Sequence, residues 1–418
     1  MRRLLLGGAA GAVVLLGVGG GYVLYVHHQG RDVRGSASVE FHAPRTTTTP
    51  APRPARRADE SVAWPTYGFG AARLRFASGV RLRPPYRSRW IFHGRTLLEF
   101  PPAVAYGRVY LPTFDGRFFA LDARTGRTIW RRATGRCGWA SPAVHRRLVV
   151  VTFIGHACDS ATPGSDGIVL ALDARSGRVR WRRLIGPTES SPLVVGGAVY
   201  VGDWLGRVYA LSERSGRTLW TFTTGGKIKG SAAFAAGRIY IGSYDGRLYA
   251  LSAWTGRELW HASGQPRLGG AGTFYSTPAV AYDRVYIGST DGKVYSFGAE
   301  TGRLRWSYGT GGYVYASPAV WRSLVLVGSY DHGFYALDAA TGALRWRFQA
   351  NGPISGSASV IDGVVYFSTF AERTYALDAR TGRFLWSFPD GKYSPVVADA
   401  RRLYLVGWGR LYGMDPAG

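Results

Sequence analysis

The chain contains two cysteines, Cys137 and Cys158, which allow three kinds of chemistry. They can form a disulfide, which requires an oxidising compartment. They can also bind zinc together with His156 and either Asp159 or His145, although "HACD" is tighter than a standard zinc spacing. Free thiols are the third option. We favour the disulfide because the predicted fold allows the two sulfurs to meet.

Aromatic and acidic residues recur at turns and connections, in pairs such as "DW", "YD" and "TD". Converging aromatic rings with a few carboxylates hold ligands or peptides. The candidate ligand- or partner-binding residues are Trp139, Trp204, Tyr244, Asp245, Tyr275, Asp291, Tyr313, Tyr315, Tyr330, Asp331, His332 and Trp408. The competing interpretation is that these Tyr and Asp residues only form turns and pack. The patterned acids available to a divalent cation are Asp203, Asp245, Asp291 and Asp331.

Common catalytic patterns are absent from the sequence: there is no HExxH, GxSxG or GxxxxGK[ST]. "GFGAAR" at 68–73 is not followed by a βαβ pattern, so it does not indicate dinucleotide binding. We therefore predict no catalytic residue and no metal site.

The elements that must position these residues come from one repeated phrase. "YALDARTGRFLW" ends at Trp386, and six related phrases end at other tryptophans. With the isolated Trp90, these tryptophans recur roughly every 40 residues, at 90, 130, 181, 220, 260, 306, 346 and 386. We predict that each docks against the neighbouring repeat and covers apolar surface there.

A single repeat predicts four short strands. In residues 191–225, apolar runs rich in Val and Tyr alternate with turns that contain glycine. The strands are apolar at nearly every position, so both faces of each sheet must be covered. Four-stranded antiparallel units of this length cover one another by packing radially, which predicts an all-β propeller.

The two chain ends predict how the ring closes. Residues 394–418 supply three strands and then stop, whereas "YRSRWIF" around Trp90 supplies one strand with no three before it. We predict that 394–418 and roughly 84–92 combine into an eighth blade, which removes exposed sheet edges. Seven blades is the alternative. Cys137 lies in the connection that enters the second blade, and Cys158 lies in the insertion between that blade's second and third strands. Both kinds of connection emerge on the same face of the propeller, so the two sulfurs can meet.

The phrase "ALDARTGRxxW" resembles the tryptophan-docking repeat of the quinoprotein family, whose members include dehydrogenases dependent on pyrroloquinoline quinone (PQQ). "WPTYGFGAARLRF" from Trp64 is similar to that family's lead-in to the first blade. The resemblance covers about 64–418 and implies an eight-bladed propeller. The same repeat builds a non-enzymatic scaffold lipoprotein of the bacterial outer-membrane assembly machinery, and we expect the chain to be closer to that type.

Two departures concern the dehydrogenases. Those enzymes typically carry a disulfide between adjacent cysteines beside the cofactor, whereas Cys137 and Cys158 are separated, and no CxxCH haem site is present. The expected cofactor is therefore none, with PQQ and calcium as the alternative. Unlike the lipoprotein, the N-terminal segment has no cysteine to lipidate.

The N-terminal region predicts a membrane anchor. Residues 4–26 are uncharged and mostly apolar, and at 1.5 Å per residue they span roughly 35 Å, enough to cross a bilayer core of about 30 Å. We expect an uncleaved signal anchor with its flank in 1–35, a Pro/Thr/Arg-rich linker over 36–62 with no fold, and the propeller over 63–418. Cleavage of the segment as a signal peptide is the alternative.

The formal net charge of +26 attracts polyanions, and the competing interpretation is a solvated rim of arginines that directly follow the turn glycine of the repeat. Taken together, these features predict a single-pass membrane protein with an extracytoplasmic, non-catalytic propeller that binds envelope proteins, anionic lipid or wall polymer. Nucleic acid is not an expected partner. The alternatives are a PQQ-dependent dehydrogenase and a small-ligand sensor.

Overall fold

The computed structural model describes residues 30–42, 62–156, 166–265 and 272–417. Within these ranges the secondary structure is β-strand with turns, and no helix is long and apolar enough to cross a membrane. The anchor predicted for residues 4–26 lies outside the described residues and stays a prediction.

Three strands precede the blades: β1 (Val62–Trp64), β2 (Phe76–Ala77) and β3 (Tyr86–His93). Blade 1 contains β4 (Ala103–Ala105), β5 (Arg108–Pro112), β6 (Arg117–Asp122) and β7 (Thr128–Ala133). Blade 2 contains β8 (Ala143–His145), β9 (Leu148–Phe153), β10 (Gly167–Asp173) and β11 (Val179–Ile185). Blade 3 contains β12 (Leu193–Val195), β13 (Ala198–Gly202), β14 (Arg207–Ser212) and β15 (Thr218–Thr223). Blade 4 contains β16 (Ala233–Ala235), β17 (Arg238–Gly242), β18 (Arg247–Ser252) and β19 (Glu258–Ser263).

The later blades follow the same order from the axis outward. Blade 5 contains β20 (Ala279–Ala281), β21 (Arg284–Gly288), β22 (Lys293–Gly298) and β23 (Leu304–Gly309). Blade 6 contains β24 (Ala319–Trp321), β25 (Leu324–Gly328), β26 (Gly333–Asp338) and β27 (Leu344–Gln349). Blade 7 contains β28 (Ser359–Ile361), β29 (Val364–Thr369), β30 (Arg373–Asp378) and β31 (Phe384–Phe388). The last strands are β32 (Val397–Ala398), β33 (Leu403–Val406) and β34 (Arg410–Pro416).

The predicted closure of the ring is confirmed. The eighth sheet has the order β3-β34-β33-β32, and β3 pairs antiparallel with β34 from Tyr86 opposite Pro416 to His93 opposite Arg410. The propeller therefore has eight blades of four antiparallel strands, and the seven-bladed alternative is wrong. The early strand β3 thus supplies the outer strand of a sheet whose other three strands come from residues 397–416.

The repeated phrase folds as a turn followed by an inter-blade contact. In blade 1, the carboxylate of Asp122 accepts hydrogen bonds from the backbone N–H and the hydroxyl of Thr125, at 2.7 and 2.8 Å. Gly126 then adopts φ +71°, and a side chain there would clash with the Trp90 ring of blade 8. The same contact joins seven successive pairs: Trp90 and Gly126, Trp130 and Gly177, Trp181 and Gly216, Trp220 and Gly256, Trp260 and Gly302, Trp306 and Gly342, and Trp346 and Gly382. Each of these indoles lies against the turn glycine of the next blade.

A chain of hydroxyl groups surrounds the propeller axis where the inner strands begin. The backbone N–H of Ser191 donates to the hydroxyl of Ser231, and the N–H of Ser231 donates to Thr277, at 2.8 and 2.9 Å. The pattern continues from Thr277 to Ser317 and from Ser317 to Ser357. These bonds satisfy buried backbone donors in the connections that enter the inner strands.

The lead-in segment 62–77 runs inside this ring. Strand β1 pairs with β4 of blade 1, and β2 pairs in parallel with β28 of blade 7. Between them, backbone carbonyls of the segment accept hydrogen bonds from inner strands of other blades, for example Ala71 from Phe234 and Leu74 from Val320. The lead-in therefore occupies part of the channel that an eight-bladed ring leaves along its axis.

Residues 30–42 form a strap along the outer edge of blade 5. The carbonyl of Val33 accepts a hydrogen bond from the N–H of Ser307 at 3.0 Å, and Asp32 accepts one from Gly309 at 2.8 Å. The buried guanidinium of Arg284 donates to the carbonyls of Ser36 and Glu40. Residues 36–42, which the sequence assigned to a linker with no fold, therefore pack on the propeller.

Candidate functional site

The mouth is the propeller face formed by the connections between blades and by the turns that join second and third strands. These two sets of loops are bonded to each other: the N–H of Tyr244 donates to the carbonyl of Lys227, and the N–H of Tyr330 to that of Tyr313. The predicted aromatic residues converge here because every blade contributes one loop of each kind to this face.

Aromatic contacts extend around most of the mouth. One run joins Phe114, Trp139 and Trp204. A second run joins Tyr244, Tyr275, Tyr313, Tyr315, Tyr330, Phe370 and Tyr393, with ring centroids between 4.9 and 6.3 Å apart. We call these ten residues the aromatic arc. It extends from a turn of blade 1 to the connection that enters blade 8.

Lys229 joins the two runs of the arc. Its ammonium lies 4.7 Å from the Trp204 ring and 5.7 Å from the Tyr275 ring, within cation–π range. It also forms a 2.8 Å ion pair with the buried carboxylate of Glu189, which accepts a 3.1 Å hydrogen bond from the Trp204 indole. Burial raises the pKa of Glu189, and the charge of Lys229 acts in the opposite direction. The pair stabilises the ionised carboxylate at the centre of the mouth.

Beneath the arc lies an axial cavity of about 60 Å³. Glu99 lies at its wall, and within the described residues its carboxylate has no hydrogen bond or ion pair. Burial raises the pKa of Glu99 to about 7, the charge of Glu189 raises it further, and Lys229 opposes both. The cavity has room for a few water molecules beside a carboxyl group that titrates near neutral pH.

The cavity floor belongs to the lead-in. The Tyr67 hydroxyl is 2.7 Å from the hydroxyl of Ser357, and the guanidinium of Arg75 lies 4.8 Å from the Tyr67 ring. Arg73 and Arg75 are completely buried, and Arg73 donates to backbone carbonyls that include that of Ala232 at 2.8 Å. Burial lowers the pKa of both arginines. These buried cations close the axis below the mouth.

The patterned acids are engaged within the fold. Asp203 accepts hydrogen bonds from the Tyr209 hydroxyl and the N–H of Gly186. Asp245 and Asp331 repeat this arrangement, each with a tyrosine hydroxyl and a glycine N–H. Asp291 accepts from Tyr295 at 2.5 Å. These contacts match the interpretation that the acids form turns and tie neighbouring blades together.

The other candidates differ in accessibility. Tyr313 is 53% exposed and Trp408 is 49% exposed, so both present ring surface to solvent. Trp204 is buried, and His332 has φ +67°, a value that the glycine usual at this turn position adopts more easily. The structure thus brings Trp139, Trp204 and the predicted tyrosines into one arc, whereas His332 serves the backbone of a turn.

The predicted disulfide is only partly within the described residues. Cys137 is buried beside Ile154 and Trp204, on the mouth side of blade 2. Cys158 lies outside the described residues. The Cys137–Cys158 bond therefore stays a prediction.

The described residues do not fit a bound quinone with calcium. A cavity of about 60 Å³ is too small for a tricyclic cofactor. No group of three or more His, Cys, Asp or Glu residues able to hold a metal ion occurs in the described ranges. The patterned acids already accept bonds from tyrosines and backbone amides, so a cation would have to compete for them.

Sequence reasoning missed the residues at the axis. Glu99, Glu189 and Lys229 each lie in a connection between blades, at positions where the repeat has no fixed residue type. Arg73 and Arg75 lie in the lead-in, in a stretch that also reads as an ordinary amphipathic strand. A charged residue next to a connection's Ser-Pro or Gly-Ser was the only available signal, as in "TESSP" and "KGSA".

Three family-model matches, at residues 89–203, 165–309 and 205–418, are to the model described as outer membrane protein assembly factor BamB. Among curated proteins, the chain is 32% identical to BamB of Salmonella typhimurium over 130 residues, 29% of this chain and 31% of that protein. It is 34% identical to the serine/threonine-protein kinase AfsK of Streptomyces griseus over 144 residues, 30% of this chain and 16% of the kinase. It is also 34% identical to a quinohemoprotein alcohol dehydrogenase of Comamonas testosteroni over 91 residues, 20% of this chain and 12% of the enzyme. The chain thus spans less than a third of the length of each of these relatives.

Solved structures show the same fold. BamB from Moraxella catarrhalis superposes with a TM-score of 0.65 at 18% identity, covering 79% of this chain and 100% of that chain. The quinohemoprotein alcohol dehydrogenase from Comamonas testosteroni superposes with a TM-score of 0.70 at 15% identity, covering 86% and 81%. At these identities the likeness concerns the fold. The matched models cover most of the propeller, and the chain belongs to the PQQ-like repeat family of outer membrane protein assembly factor BamB.

Proposed function

We propose that this protein is a membrane-anchored, extracytoplasmic propeller that binds envelope proteins through its mouth and catalyses no reaction. The observation that carries the proposal is the aromatic arc. Its ten rings form two runs joined by Lys229, one of the rings is the exposed Tyr313, and the cavity beneath them is too small for a tricyclic cofactor. Tyrosine and tryptophan supply large contact area with little loss of side-chain freedom, which suits a protein-binding surface.

The polar centre of the mouth favours a partner with a polar or basic side chain. Glu99 and Glu189 lie beneath the arc, and Lys229 balances only one of the two. A partner side chain that donates hydrogen bonds can reach the Glu99 carboxylate, while its apolar neighbours pack on the tyrosines. An aromatic surface with a small polar centre gives specificity for a binding partner and requires no catalytic step.

The membrane and localisation parts of the proposal rest on the sequence. The apolar segment 4–26 is long enough to cross a bilayer, and the related proteins named above include an outer membrane protein assembly factor. We propose that the helix stays uncleaved and that the propeller lies on the extracytoplasmic side, where the disulfide between Cys137 and Cys158 can form.

Photo-crosslinking in solubilised membranes tests the mouth. A benzophenone amino acid placed at Tyr313 should capture a discrete membrane protein, because this side chain is exposed on the arc. The matched control is position Trp254, which is 64% exposed but belongs to an outer turn of blade 4. Capture should be lost when Tyr315 and Tyr330 are changed to alanine. Equal capture at both positions, or capture unaffected by those changes, contradicts the proposal.

Quinone-dependent dehydrogenase activity is the second candidate, favoured by the identity shared with the Comamonas enzyme over 20% of the chain. Titration of the full chain with PQQ and calcium, followed by absorbance and by dye reduction, separates the two functions. The scaffold proposal expects no saturable binding and no turnover. Saturable binding with turnover rejects it, whatever the crosslinking shows.

A further inference from the structure

The outer strands of the eight blades differ in charge. Strands β3, β7 and β11, on the adjacent blades 8, 1 and 2, contain seven arginines and no acidic residue. The other five outer strands together contain three arginines and one glutamate. The seven are Arg87, Arg89, Arg131, Arg132, Arg180, Arg182 and Arg183.

The two groups also differ in pairing. Each of the three arginines elsewhere is paired with an acid: Arg305 with Glu40, Arg345 with Asp338 and Arg347 with Asp331. Of the seven, within the described residues, only Arg180 forms an ion pair, with Asp173 at 2.6 Å. Arg132 donates to the carbonyl of Gly177 at 2.8 Å.

Five exposed arginines are left with no ion pair in the described ranges. We call them the basic flank: Arg87, Arg89, Arg131, Arg182 and Arg183. The turn of blade 1 adds further positive charge beside them, because Arg124 and Arg127 share a surface groove with Arg87 and Arg89, and Asp415 in that groove is paired with Arg402. The flank is thus a field of one sign across three blades, where screening by acids is weakest.

We propose that the basic flank binds a flexible polyanion with repeated phosphate or carboxylate groups. Three adjacent blades of eight extend over two steps of about 45°, so the flank is a convex quarter of the ring. A flat bilayer that touched blade 1 would leave blades 8 and 2 turned away. A flexible chain can follow the curve and contact all three strands.

The position of the strap supports the same occupant. Residues 30–42 hold the chain against blade 5, which is opposite blade 1 in a ring of eight. In the proposed anchored arrangement, the helix ends at residue 26, and the four residues to Gly30 span at most about 14 Å. Blade 5 then lies near the membrane and the basic flank faces away from it. This orientation rests on the proposed anchor, whereas the charge of the flank does not.

Binding of long-chain polyphosphate by the full chain in neutral detergent tests the proposal. The flank variant changes all five arginines to glutamine. The control variant changes five exposed arginines from the turns of blades 3, 4, 5 and 7, Arg217, Arg257, Arg303, Arg380 and Arg383, and removes the same net charge. Each lost contact lowers the slope of log affinity against log salt by about 0.7 for a single-stranded polyanion, so five contacts lower it by about 3.5.

We expect the flank variant to bind at least tenfold more weakly at physiological salt and the control variant to change less than threefold. Equal losses in both variants overturn the proposal, because binding would then follow net charge alone. Vesicles of phosphatidylglycerol are the second probe. Flank-dependent vesicle binding without flank-dependent polyphosphate binding overturns it in favour of a bilayer. The alanine variant of Tyr315 and Tyr330 should bind polyphosphate normally, so failure at the mouth is distinguishable from failure at the flank.

Discussion

Changing Glu99 to glutamine should remove a pH dependence of folding stability that originates in the axial cavity. Burial and the nearby charge of Glu189 raise the pKa of Glu99 from an ordinary value of 4.5 to about 7. Between these two pH values the unfolded chain ionises this carboxyl, while the folded protein keeps it protonated. The folded state binds more protons there, so stability falls as the pH rises from about 4.5 to about 7 and levels off above it.

The size of the effect follows from the shift. A difference of about 2.5 pH units at about 1.36 kcal/mol each corresponds to about 3 kcal/mol of unfolding free energy. Glutamine is nearly isosteric and does not titrate, so the variant should gain about 3 kcal/mol relative to the wild type between pH 4.5 and pH 7. Acids with lowered pKa values, such as Asp173, act only below about pH 4 and leave this window clear.

Urea unfolding followed by tryptophan fluorescence at intervals from pH 4.5 to pH 8 measures the difference. Glu300→Gln is the matched control, because this side chain is 78% exposed and its removal should leave the pH profile unchanged. A difference in unfolding free energy between wild type and Glu99→Gln that is the same at both ends of the range contradicts a raised pKa of Glu99. A difference that changes in the opposite direction also contradicts it.

Three further predictions concern packing, the central ion pair and the cysteines. Gly216→Ala should lower the unfolding free energy by about 2–4 kcal/mol, because φ is +70° and the added carbon would lie 2.5 Å from an indole atom of blade 2. The control Gly107→Ala has φ +67° but open space around the added carbon, so it should lower the unfolding free energy by only about 1–2 kcal/mol. Chemical denaturation measures both variants. Lys229→Met should lower the unfolding free energy by about 3–5 kcal/mol, because Glu189 is then buried without its cation. Adding Glu189→Gln to the Lys229→Met variant should recover most of the lost melting temperature. Both cysteines should resist alkylation in denaturant until a reductant is added, and mass spectrometry that finds two alkylated thiols without reductant would reject the disulfide.

The fold was predictable because the repeat encodes contacts as well as strands. The phrase ending at Trp181 specifies a strand, an Asp- or Ser-led turn, a glycine and an indole, and the structure shows why all four occur together. The glycine that the turn needs for its backbone is also the surface that receives the preceding blade's ring. One pattern therefore reports both the local turn and the packing of the next sheet, and its count gives the number of blades.

The axis was not predictable by the same means. Lys229, Glu189 and Glu99 lie in connections whose sequences differ from blade to blade, so no repeat identifies them. Their pairing depends on how loops from three blades meet, which is a property of the closed ring. The strap was missed for a related reason, because its partner Arg284 occupies a strand position that also holds arginine in blades 1 and 4, where Arg108 donates to the carbonyl of Ala174 and Arg238 pairs with Glu300.

The placement of charge on the outer strands is the least constrained property of this fold. Packing requires the tryptophan and the turn glycine, but it does not require any residue type directly after the tryptophan. In blade 3 this position is Thr221, and in blade 2 it is Arg182. Charges that served only solubility would be interspersed with acids, as Glu40 and Asp338 are interspersed on the opposite side. A run of arginines on blades 8, 1 and 2 that have no ion pair among the described residues is better explained by a bound polyanion than by the needs of the fold.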